Sequence, residues 1–91
     1  MIRADILDAA KVCVCGGREQ DYGTPENNFK LIARLWSAYT GWQIAAEDVA
    51  LMMVLLKIAR IKAGRGTADC YVDLAGYAAC AGEIAKGERE Q

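Results

Sequence analysis

Eight consecutive apolar residues, Val49 to Leu56, sit inside a segment whose two ends carry helix signals, and this run constrains the fold more than any other feature. A helix turns through about 100° per residue, so eight apolar residues in a row leave no side of it polar. The run is far short of the ~20 residues that cross a bilayer, so it must be enclosed by other helices, either at the centre of a bundle or at an interface between copies. Glu47 and Asp48 favour the positive end of the dipole at its start, and Gly64, after Lys62, stops it. A helix over about 46–63 is the expected core element.

The other segments read as helices too, because no alternation of apolar and polar residues is sustained anywhere. A first helix over about 2–14 would carry Ile6, Leu7, Ala10, Cys13 and Val14 as one apolar stripe and stop at Gly16 and Gly17. Thr24 offers its hydroxyl as an N-cap, and Pro25 occupies the first helical position, where its missing N–H costs nothing. That second helix, over about 25–40, spaces Phe29, Ile32, Ala33, Trp36 and Tyr39 along a face and ends at Gly41. Thr67 can cap a fourth helix over about 68–86, rich in Ala and Gly, after which Gly87 to Gln91 reads as a frayed polar tail. Gly76 and Gly82 each cost that helix about 1 kcal/mol relative to Ala, so close packing or a ligand should compensate. The fold class is all-α: a compact four-helix bundle within a single domain.

A bundle of 91 residues has a thin core, and burying more surface through self-association would help it, so a homo-oligomer is expected through the apolar and small-residue faces of helices three and four. The charge is nearly balanced, 11 Lys+Arg against 12 Asp+Glu, with no basic run to match a duplex, so DNA and RNA duplexes are not expected partners. Acids at Asp5 and Asp8 are foreign to a signal peptide, which points to the cytoplasm and away from membranes. The four cysteines are expected to be small buried thiols: the chain has no His, and Cys13 and Cys15, two apart on a helix, cannot share one zinc ion.

The informative anomaly lies at the end of the apolar run, where Lys57 and Arg60 are neighbours on one face of the core helix. The following helix supplies Asp69 and Asp73, four apart, with Gly76, Tyr77 and Cys80 continuing their face. One reading is an internal salt-bridge cluster that locks the two helices together. The other is a pocket, since buried pairs are weak evidence for stability. In that pocket Arg18, Lys57 and Arg60 would hold a phosphate at the start of the second helix, beside Tyr22, with Asn27 and Asn28 orienting the ligand and an aromatic ring such as Tyr77 stacking on it.

The run Tyr22-Gly23-Thr24-Pro25-Glu26-Asn27-Asn28-Phe29, then Ile32-Ala33 and Leu35-Trp36, then Glu47 to Met53 leading to Leu56-Lys57-Ile58-Ala59-Arg60, and Asp69 with Asp73-Leu74-Ala75-Gly76-Tyr77, resembles a family of small uncharacterised phage and prophage proteins. More remotely, the Lys/Arg helix followed by an Asp helix is similar to MazG-like and nucleotide-modification-associated helical proteins. The resemblance implies a phage origin, hence the cytoplasm of an infected bacterium, and a nucleotide or cyclic nucleotide ligand. MazG-like pyrophosphohydrolases hold Mg²⁺ with Glu-Glu-x-x-Glu and Glu-x-x-Asp; the acids in the matching helices here are Glu47, Asp48, Asp69 and Asp73, and Val49, Ala50 and Leu51 interrupt the first motif.

The leading expectation is therefore a non-catalytic phage nucleotide binder that needs no cofactor, a sponge that sequesters a host nucleotide immune signal in an anti-defence role. The alternative is a divergent MazG-like nucleoside triphosphate pyrophosphohydrolase, with Mg²⁺ on those four acids. A third reading, from another class, is a structural or protein-inhibiting phage protein whose Lys57 and Asp73 contacts are internal.

Overall fold

A computed structural model describes residues 1–16 and 24–90, with backbone alone at 25, 26 and 88–90. Among the described residues it is all-helical, without a strand: α1 (Arg3–Cys15), α2 (Pro25–Thr40), α3 (Ala46–Lys62) and α4 (Ala68–Glu90). The last helix continues to Glu90, through the stretch the sequence assigns to a frayed tail.

The helix ends follow from side chains that satisfy otherwise free backbone groups. Thr24 Oγ1 accepts from the Asn27 N–H at 3.2 Å, as its place before Pro25 implies. α1 and α3 start alike: Asp5 Oδ2 accepts from the Ile2 N–H at 3.1 Å and Asp48 Oδ2 from the Ala45 N–H at 2.9 Å. α2 ends on Gly41, whose φ of 78° is left-handed. α3 ends in two reverse bonds, Gly64 N–H to Ile61 O at 3.1 Å and Arg65 N–H to Arg60 O at 3.2 Å, closed by Gly64 at φ 80°. At the corner between α2 and α3, Ser37 Oγ accepts from the Ile44 N–H at 2.9 Å and donates to the Ile44 carbonyl at 3.2 Å.

Among the described helices α4 is central: α3 and α1 pack along it, α2 packs on α3, and α2 also reaches α4 through Phe29. The core between them joins Phe29, Ala33, Ala46, Val49, Ala50, Cys80, Ala81 and Ile84, with Ile32, Trp36, Ile44 and Tyr77 packed around it. Half of those eight are alanines, so the backbones approach closely but little apolar area is removed from water. Sharing a core with Cys80, Ala81 and Ile84 at one level, and pairing Lys57 with Asp73 at another, α3 runs antiparallel to α4.

Several side chains lie elsewhere than their spacing suggested. Cys70 and Cys80 are buried, but Cys13 and Cys15 are exposed, because α1 turns only a narrow side, Ala10 with Ile6 and Val14, towards its neighbour. Leu7 is on the outside of α1. Tyr39, 92% exposed, leaves the inner face of α2, and Trp42 lies beyond the helix in solvent, whereas Trp36 packs on the core. Gly76 faces α1, where a Cβ would come within 3.1 Å of Val14 Cγ1, but Gly82 has open space around it. Of these two α4 glycines, Gly76 is the one whose small size a neighbour calls for. α3 is enclosed on one side: Val49 and Ala50 are fully buried, whereas Leu51, Met52, Leu55 and Ile58 face outwards.

Candidate functional site

The seam between α3 and α4 carries the charged residues that the sequence set apart. Lys57 Nζ lies 3.0 Å from Asp73 Oδ2, joining the two helices about two turns above the apolar core. The Lys57 stem is enclosed, which places its ammonium at the edge of the seam, where a carboxylate is the natural partner. Arg60, three residues on, is exposed, and so is Asp69, four residues before Asp73. Because the helices are antiparallel, stepping up from Lys57 to Arg60 matches stepping back from Asp73 to Asp69. The four side chains form a strip of alternating sign, and among the described residues Arg60 is its exposed cation.

Tyr77 continues the strip from Asp73 by one turn. Its ring centroid is 6.2 Å from that of Phe29, tilted by 56°, a geometry favoured by the opposed charge distributions of ring faces and edges. This contact brings the start of α2 towards Tyr77; Asn27 and Asn28 are both exposed, Asn28 beside Phe29 and Asn27 turned to the outer side of the helix. Phe29 is the residue that spacing alone did not assign to the site: its place on the inner face of α2 was visible, its role as the rest for Tyr77 was not. Arg18 and Tyr22 lie outside the described residues.

The acids are not brought together. Glu47, half-buried, and Asp48 are at the start of α3, ten and nine residues before Lys57, which sets them about 15 Å along the helix axes from Asp73 and about 20 Å from Asp69, one turn further away. Asp48 is also engaged in closing the α3 N-terminus. No three Asp, Glu or Cys side chains among the described residues converge as a metal site. What the strip offers a ligand is one free guanidinium for an anion, carboxylates for hydroxyl or amino donors, and a half-buried phenol ring.

No helix among the described residues is long and apolar enough to cross a membrane. Residues 5–85 match the family described as "Domain of unknown function (DUF6378)". The chain is 44% identical over 79 residues to the Gene 55 protein of Mycobacterium phage D29, covering 87% of this chain and 52% of that one. It is 49% identical over 74 residues to the Gene 55 protein of Mycobacterium phage L5, covering 80% of this chain and 47% of that one. The chain thus spans about half the length of the curated relatives it matches. No solved structure matches it.

Proposed function

We propose, for a chain that belongs to the DUF6378 family of phage proteins, that the α3–α4 strip binds a nucleotide without cleaving it. The observation that carries this reading is the exposed Arg60 one turn beyond the Lys57–Asp73 pair, with Asp69 at its level. A nucleotide presents an anion at one end and hydroxyl and amino donors at the other. Arg60 takes the phosphate through its planar fork of donors, joined by the Lys57 ammonium where the ligand draws it from Asp73. Asp69 and Asp73 accept from ribose or base, Tyr77 gives the base a ring to stack on, and Asn27 and Asn28 orient it. With its acids divided between the two ends of α3, the fold favours holding a phosphate chain over concentrating Mg²⁺ against it. In a phage such a binder serves as a sponge for a host nucleotide immune signal in the cytoplasm of the infected cell.

The test is to incubate the purified protein with linear and cyclic nucleotides and Mg²⁺, filter, and identify by mass what stays in the filtrate and what heat releases from the protein. Intact nucleotide released only on denaturation is the expected result. Nucleoside monophosphate and pyrophosphate in the filtrate would make the protein a hydrolase and overturn the reading, as would a protein that retains no nucleotide.

A further inference from the structure

We propose that a second copy of this chain docks antiparallel on the outer face of α3, across a two-fold axis at Leu55. Leu51, Leu55 and Ile58 recur at steps of four and three, the spacing of a helix-pairing seam, and Met52 flanks them. All four are outward: Leu51 is 44% exposed, Met52 43%, Leu55 63% and Ile58 42%. The same spacing reaches Asp48 at one end of the stripe and Lys62 at the other, each seven residues from Leu55 and each exposed.

That charge placement decides the direction. An antiparallel pair centred on Leu55 sets Asp48 against the partner's Lys62 and Lys62 against the partner's Asp48, two attractive contacts related by the two-fold axis. A parallel pair would set Asp48 against its own copy and Lys62 against its own copy. Asp48 uses Oδ2 on the Ala45 N–H, and a carboxylate can accept further bonds, so capping and pairing are compatible. Arg60 lies five residues on from Leu55, about 140° round the helix, so the dimer leaves the charged strip open on both protomers. The alanine-rich core between α3 and α4 is thin, and covering the opposite face of α3 encloses the apolar run on all sides.

Sedimentation equilibrium of the full chain tests this. A dimer is expected at micromolar concentration, and Leu55→Glu should weaken it by roughly tenfold or more, since it sets like charges together at the seam centre. Leu51→Lys, on another exposed position, should do the same with the helical circular dichroism unchanged. Lys62→Glu should also weaken the dimer, and Lys62→Arg should leave it intact. A chain that stays monomeric up to about 100 µM overturns the proposal, that concentration being far above what a standard-size interface needs. So does a dimer indifferent to Leu55→Glu and Leu51→Lys. Indifference to Lys62→Glu overturns the antiparallel arrangement.

Discussion

Lys57 and Asp73 meet at 3.0 Å, and the cation is the more enclosed partner, its side chain 13% exposed against 38% for the carboxylate. The pair is therefore unequal: removing the acid strands an ammonium in a largely dry place, while removing the lysine leaves a carboxylate that water can reach.

Asp73→Ala is expected to destabilise the protein by about 1–2 kcal/mol, less than for a fully buried pair because solvent reaches the carboxylate. Lys57→Met, which keeps the apolar stem, should cost less than half of that. Thermal unfolding followed by circular dichroism separates the two; equal losses would mean that the pair is not the asymmetric contact its exposures imply.

Arg60 is exposed and has no structural partner among the described residues, so Arg60→Ala should leave the melting temperature within a degree or two of the parent. Nucleotide affinity should fall by roughly tenfold or more, the usual loss when a charge-assisted contact to phosphate is removed. Equilibrium dialysis with a radiolabelled nucleotide reads the affinity directly, and a variant that binds as well as the parent would remove Arg60 from the site.

Two glycines should respond to alanine in opposite directions. At Gly66 a Cβ would lie 2.7 Å from the Ile61 Cα, a backbone atom that cannot step aside, so Gly66→Ala is expected to cost about 2 kcal/mol and lower the melting temperature by about 10 °C. At Gly82 nothing stands within 4 Å, and Gly82→Ala should add about 1 kcal/mol through helix propensity alone.

The cysteines divide into two classes. Cys13 and Cys15 are exposed and should be alkylated by iodoacetamide within minutes, whereas Cys70 and Cys80 should react only when the protein unfolds. Intact mass after timed quenching should therefore plateau at two adducts; four adducts at the early times would contradict the burial of α4's inner face.

Local chemistry made the helix limits readable: Thr24 with Pro25, Gly41 and Gly64 each act on the few backbone groups beside them, and no distant residue is needed to interpret them. The pairing of Lys57 with Asp73 could be narrowed to two faces by spacing, but their meeting depends on how far α4 slides along α3, which the 63–67 turn and the size of the core side chains decide together. Exposure was least readable. A stripe such as Ile6-Leu7-Ala10-Cys13-Val14 has the period of a buried face, yet how wide a strip gets covered depends on how many neighbours a helix has. Among the described helices α1 packs mainly on α4, and Leu7 and Cys13 fall outside that contact. The same reason leaves Gly82 open while Gly76 meets Val14.

The order of the helices in space also sets an order in time. α3 and α4 adjoin in the chain and in space, so their hairpin can close as soon as both are synthesised, through contacts between sequence neighbours that form early. α1 is synthesised before the other three helices described, but the surface it packs on belongs to α4, the latest made of the four. Until α4 has been made, α1 waits with Ala10 and Val14 uncovered, and its docking joins two helices separated by the whole α2–α3 segment.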